Sequence, residues 1–233
     1  MSTRTARRIL AAGAILLSSV ACARDKGPSS AWQDEFGIEK CRFSPTGRND
    51  YFVLEPGFEL VLEGDGTKLR IRVLDDTKVV DGVTTRVVEE REWKDGELHE
   101  VARNYFAICE QTKDVFYFGE DVDYYESGKV VKHDGSWVAG ASGNRPGLIM
   151  AGAPKTKMKY YQELAPGVAM DRAEIVSLDE TCKTPAGTFP RCLKVKETSA
   201  IDLTAREHKY YAPAIGLIQD ESLRLVKYGF AQK

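Results

Sequence analysis

Phe58-Glu-Leu-Val-Leu-Glu63, Gly64-Asp65-Gly66, Leu69-Arg-Ile-Arg-Val-Leu74, Asp81-Gly82 and Val83-Thr-Thr-Arg-Val-Val88 follow one another along a short stretch of this chain. The three longer runs are alternating and rich in β-branched residues, the period-two pattern of strands with one face buried. The Gly-Asp-Gly and Asp-Gly segments between them are turn formers, and Asp-Gly supplies the positive φ that a tight hairpin requires. The stretch therefore reads as consecutive antiparallel strands.

The pattern continues toward the C-terminus. Lys94-Asp95-Gly96-Glu97 joins an arm over 86–93 to an arm over 98–108, and Val115-Phe-Tyr-Phe118, Val122-Asp-Tyr-Tyr125 and Val130-Val131 extend the meander. Strands resume over 158–164, 173–178, 189–196, 207–211 and 217–227. Between the two halves, residues 135–154 are rich in Gly, Ala, Ser and Pro, and read as one long loop around the apolar plug Leu148-Ile149-Met150. Such a loop serves either as a lid or as cover for a sheet edge. No amphipathic helix is evident, only a turn near 165–172. The expected fold is all-β: a strongly curved antiparallel sheet, half-barrel or barrel, built as a meander with one long loop.

Upstream of the first strand, residues 32–56 carry few signals. The beginning carries strong ones. Met1-Ser-Thr-Arg4-Thr-Ala-Arg7-Arg8 is a basic head, followed by an apolar run to Val20 and by Ala21-Cys22-Ala23. This is the form of a secretory signal, shorter than a membrane span. Ala21-Cys22-Ala23 fits ordinary cleavage and release of a soluble secreted protein. Ser19-Val20-Ala21-Cys22 fits a bacterial lipobox, with Ser19 where Leu is usual, and with Cys22 acylated. The polar stretch after Cys22 suits a tether, and the lipidated form is the favoured expectation. The organisation is then a signal peptide over 1–21, a tether over 22–35 and a single β domain over 36–233. The protein is expected outside the inner membrane, as a periplasmic or outer-membrane lipoprotein or at the cell surface.

The whole chain of 233 residues carries 33 basic and 35 acidic residues. Loss of the leader removes three arginines and no acid, so no nucleic-acid footprint remains. With Cys22 assigned to the anchor, Cys41, Cys109, Cys182 and Cys192 are left. An even number in an exported chain suggests two disulfides, with three pairings available. Cys182 and Cys192 flank the turn-like Thr184-Pro-Ala-Gly-Thr188, which favours a Cys182–Cys192 bridge across a hairpin and leaves Cys41 for Cys109. The alternative is buried free thiols. There is no C-x-x-C motif, so neither a thioredoxin-like redox role nor a zinc knuckle has support.

Thr184-Pro-Ala-Gly-Thr-Phe189, Cys192-Leu-Lys-Val195, His208-Lys-Tyr-Tyr-Ala-Pro213 and Gly216-Leu217 together resemble a widespread uncharacterised family of exported bacterial β-rich proteins and lipoproteins. Val80-Asp-Gly-Val-Thr-Thr-Arg86, Tyr117-Phe-Gly-Glu-Asp121 and Tyr161-Gln-Glu-Leu-Ala-Pro-Gly-Val-Ala169 extend the resemblance over most of the chain. Ala214 departs from it, standing where a Gly is more usual. The resemblance implies an exported β domain and brings no reaction or ligand.

The candidate ligand-binding residues are Gln162, Glu163, Asp171, His208 and Tyr210. Alternation puts His208 and Tyr210 on one face of their strand and Glu207, Lys209 and Tyr211 on the other. A His208 facing a cavity with Gln162 or Glu163 could bind a polar ligand or act as a base; a hydrogen-bonded structural histidine is the simpler reading. Glu120, Asp121, Asp123 and Glu126 read as a solvated acidic turn, without the spacing of a calcium loop. The aromatic stretch 116–125 reads as core and sheet face. No hydrolase elbow or phosphate-cradling glycine loop occurs. No metal or cofactor is assigned. The leading expectation is a non-enzymatic envelope protein that binds an apolar or amphipathic, lipid-like small molecule. The alternatives are a structural or partner-binding lipoprotein, with no particular protein partner indicated, and a hydrolase-type enzyme using Glu163 and His208.

Overall fold

Tight turns set the geometry. Asp65-Gly66, Asp81-Gly82, Asp95-Gly96 and Ser127-Gly128 all have positive φ at both positions, the conformation that matches the right-handed twist of paired strands. The computed structural model describes residues 31–231, so the expected signal peptide over 1–21 and the expected anchor at Cys22 lie outside the described residues.

A single 3-10 turn at Ile38–Lys40 precedes three short strands, β1 (Phe43–Ser44), β2 (Gly47–Asn49) and β3 (Phe52–Leu54). A first meander follows: β4 (Phe58–Gly64), β5 (Thr67–Val80), β6 (Val83–Lys94), β7 (Glu97–Cys109) and β8 (Val115–Glu126). Short strands β9 (Lys129–Lys132), β10 (Trp137–Val138), β11 (Arg145–Met150), β12 (Lys159–Tyr161) and β13 (Glu163–Leu164) lead to a second meander. It consists of β14 (Asp171–Thr184), β15 (Gly187–Ser199), β16 (Arg206–Ala212), β17 (Gly216–Asp220) and β18 (Leu223–Phe230).

The meanders join where β18 pairs antiparallel with β4, and the resulting sheet runs β12-β14-β15-β16-β17-β18-β4-β5-β6-β7-β8-β11-β13. Its two ends, β12 and β13, are separated in the chain by Gln162 alone. One extended segment thus pairs with β14 on one side and with β11 on the other, and the Gln162 N–H donates to the Asp171 carbonyl at 2.8 Å. The sheet is a nearly closed antiparallel barrel, as the alternation predicts.

Closure corrects one expectation. Residues 135–154 are not a loop throughout, because Leu148-Ile149-Met150 belongs to β11, which pairs with β8 and β13. Leu148 and Met150 are buried on one face while Ile149 lines the interior on the other. Gly147 permits the seam: a Cβ there would stand 2.3 Å from the Gln162 carbonyl oxygen. Gly147→Ala is therefore expected to lower stability by about 1–3 kcal/mol, as overpacking against backbone does. Urea unfolding reads this, and an unchanged midpoint would show that the seam does not hold the barrel.

Inside and outside differ in kind. Leu60, Ile71, Glu90 and Ala102 stand in register across β4 to β7 and face inward. The alternate positions carry charge: Glu89 meets Arg91 at 2.7 Å, Lys78 meets Asp121 at 3.0 Å and Arg103 meets Asp123 at 3.0 Å. Where such a pair is exposed on both sides, as Lys78–Asp121 is, it adds little stability. The charged positions do make an outer face suited to water, unlike the apolar band of a lipid-facing barrel.

The N-terminal segment, almost silent in sequence, closes one end. Phe43 packs edge-on against Phe116 and Phe118, with centroids 5.7 and 5.3 Å apart, and Phe52 against Phe106 at 5.3 Å. Cys41–Cys109 ties this segment to β7. The second expected bridge is absent: Cys182 and Cys192 are buried free thiols. Bulges in the β14–β15 pairing place Cys182 across from Phe189 and Cys192 across from Glu180, so the two are diagonal rather than opposite. Cys192 Sγ donates instead to the Phe189 carbonyl at 3.2 Å. Burial and the neighbouring Cys192 push the Cys182 thiol up to about 12, which disfavours its thiolate.

Candidate functional site

The barrel encloses a cavity of about 390 Å³, within the range of small-molecule sites. Its walls change character along the strands. Phe52 and Val53 of β3, Phe58 of β4, Phe106 of β7 and Ile215 form an apolar end, over the segment that plugs the barrel. Toward the Asp95-Gly96 hairpin the inward positions become polar: Glu90 on β6, Glu100 on β7 and Glu120 on β8. The second meander adds Asp171, Glu197 and Asp220, and the closing segment adds Gln162 and Glu163.

Among the described residues, Lys209 on β16 is the one cationic side chain lining this cavity. Its Nζ lies 2.7 Å from Glu197 and 3.8 Å from Asp220. Burial works against the ammonium, but Glu197 and Asp220 outweigh it and hold its pKa well above the ordinary lysine value. The Gln162 side-chain amide donates to Glu197 Oε1 at 2.8 Å, so the closure residue also orients the lysine's principal partner. Opposite, the Tyr117 hydroxyl donates to Asn104 Oδ1.

The remaining carboxyls lack such compensation. Burial pushes Glu90 up to about 7; Lys209 works against the shift, and Asp220, Glu100 and Glu197 add to it. Burial also pushes Glu120 up to about 7, against the effect of the neighbouring Tyr117 hydroxyl and with help from Glu90 and Glu100. Glu163 is held well above the ordinary carboxylate value by burial, then by Glu120 and Asp171. At neutral pH these groups carry less charge than their number implies.

The consequence for stability has a definite sign. Below the unfolded value of 4.5 both states are protonated and Glu90 and Glu120 cost nothing; above about 7 both are ionised and the full cost is present. Glu55, Glu89 and Asp121 have lowered values, so their contribution is instead lost in the acid limb below the unfolded values. Melting temperature is therefore expected to peak near pH ~5 and to fall by pH ~8, at about 2–4 °C per kcal/mol. Circular-dichroism melts across this range test it, and a flat or rising profile from pH 5 to 8 would contradict the buried acids.

Three of the five residues singled out from sequence meet here. Gln162, Glu163 and Asp171 line the cavity. His208 and Tyr210 do not: they occupy the other face of β16, where His208 lies 3.9 Å from Glu221 with 41% of its side chain exposed, and Lys194 sits over the Tyr210 ring. The alternation on β16 was legible but its phase was not. Pairing with buried Leu193 and Val195 turns Tyr211 and Lys209 inward. His208 and Glu163 therefore do not converge, and an acid–base pair between them has no geometry. The acidic group at 120–126 is likewise strand rather than turn: Glu120 faces the interior, while Asp121 and Asp123 pair with Lys78 and Arg103 outside. Tyr117 reaches the cavity, while Phe116 and Phe118 pack beneath the N-terminal segment, as core aromatics should.

Comparison with known protein families, with curated proteins and with solved structures gave no match for this chain.

Proposed function

We propose that this chain is an exported, non-enzymatic binding domain, anchored to a membrane by a lipid on Cys22, whose barrel interior takes an amphipathic small molecule. The observation that carries the reading is the polarity gradient within one cavity of about 390 Å³: aromatic and aliphatic at the plugged end, acidic toward the Asp95-Gly96 hairpin. An apolar tail gains by leaving water along Phe52, Phe58 and Phe106, while a polar head meets groups that already need partners. A barrel filled by its own side chains would have favoured a purely structural lipoprotein. Export is supported by the basic-apolar leader ending at Cys22 and by the Cys41–Cys109 bridge, which belongs in an oxidising compartment. The likeness to exported β-rich lipoproteins points the same way.

Native mass spectrometry of gently purified protein tests the binding reading. A co-purifying lipid-like mass is expected, and Ala102→Trp, which fills the cavity from β7, should remove it while the protein stays folded. Apo protein alone, from wild type and variant alike, would overturn the reading. Metabolic labelling with a fatty acid tests the anchor: label lost in Cys22→Ser is expected, and label absent from wild type would leave a soluble secreted protein instead.

A further inference from the structure

Among the described residues, seven carboxyl groups line the cavity against Lys209 alone. Several have polar neighbours: Lys209 engages Glu197 and Asp220, while the hydroxyls of Tyr124, Tyr117 and Ser199 lie beside Glu100, Glu120 and Asp171. Glu90 and Glu163 have neither a hydrogen bond nor an ion pair among the described residues, although both face the cavity. A residue of different chemistry shows the same lack. Tyr211 is only 8% exposed, follows Lys209 on the inward face of β16, and presents to the cavity a hydroxyl without a hydrogen-bond partner. All three line one cavity, and acceptors left unpaired on a cavity wall complement a ligand that supplies donors.

We propose that the polar end of the cavity receives an organic cation, an ammonium head carried on an apolar tail, with Glu90, Glu163 and the Tyr211 hydroxyl as its acceptors. The inference rests on the reading of the barrel as a binding domain for an amphiphile. An ammonium brings three donors and no acceptor, which complements ionised carboxylates that can only accept. A carboxylate or phosphate head would meet like charges on every polar wall. A metal ion fits less well: no three of these acids, nor any other His, Cys, Asp or Glu group among the described residues, are arranged to coordinate one, and the apolar end would be left without a role.

Calorimetric titration of the full-length protein at pH 8 with octylammonium, octanoate and octanol, matched in tail and different in head, tests the assignment. Octylammonium is expected to bind at least about tenfold more tightly than the other two. Glu90→Gln and Glu163→Gln should each weaken octylammonium by about tenfold while raising the melting temperature, because each removes an unpaired charge from the cavity wall. A merely structural acid would instead lower the melting temperature on substitution and leave affinity unchanged, which would overturn the proposal. Equal binding of octanol, or a preference for octanoate, would overturn the cationic head and leave the amphiphile-binding domain standing. Failure of all three probes, together with apo protein in the mass spectrum, would remove both.

Discussion

Lys209→Met is expected to destabilise the protein by about 3–5 kcal/mol at pH 8, the cost of leaving buried charges without their partner, and by much less at pH 5. The side chains involved are largely out of water, with Lys209 23% and Glu197 12% exposed. At pH 8 the substitution strands Glu197 and Asp220 beside Glu90 and Glu120, all on one cavity wall or facing it. At pH 5 Glu90 and Glu120, with values near 7, are already neutral, so the lysine has less charge to offset. Urea unfolding at both pH values measures the difference. Adding Glu197→Gln should recover part of the loss at pH 8, since the pair is coupled. A loss of equal size at both pH values would mean that Lys209 acts through packing of its stem and not through its charge.

Opening the Cys41–Cys109 bridge should cost about 4 kcal/mol by the chain-entropy relation for a crosslink spanning 68 residues. The consequence is also local. The bridged segment carries Phe43 onto Phe116 and Phe118, and leads into Phe52 and Val53 at the apolar end of the cavity. Reductant should therefore lower the melting temperature of wild type, and Cys41→Ser should melt at the reduced value whether or not reductant is present. If reductant moves the variant as well, a second bridge exists, and the diagonal placement of Cys182 and Cys192 is wrong.

The two effects bear on different parts of one design. The bridge holds the apolar plug in place, and Lys209 offsets part of the acid gathered at the polar end of the cavity. Neither Glu90 nor Glu163 improves the fold, because a carboxyl facing a cavity without a partner disfavours the compact state as it ionises. Their presence is easier to understand as preparation for something bound than as support for the barrel.

Much of the architecture could be read from residues alone. Alternation over 58–63, 69–74 and 83–88, with Asp-Gly at the turns, specifies antiparallel hairpins because side-chain period and turn conformation are local properties of the chain. Cys41–Cys109 was reached only by setting aside a Cys182–Cys192 bridge that the structure lacks, so the cysteines were legible as bridge candidates but their pairing was not. The site was half legible: Gln162, Glu163 and Asp171 stood out around a Pro-Gly turn, and the structure puts them in the cavity.

What remained hidden depended on pairing between distant strands. His208 and Lys209 are one residue apart, and a strand's local pattern does not say which face looks inward. Its register against Leu193 and Val195 does. Leu148-Ile149-Met150 reads as a loop plug until β8 and β13 are seen on either side, with Gly147 letting one backbone approach the other. Phe52 and Val53 carry no periodic signal, because a plug across a barrel end need not alternate as a ladder strand does. The composition and turns of this chain settle that it forms a meander of strands. The closure at Gln162 settles that the meander encloses a cavity, because only the pairing of its two distant ends turns one face of a sheet into an interior.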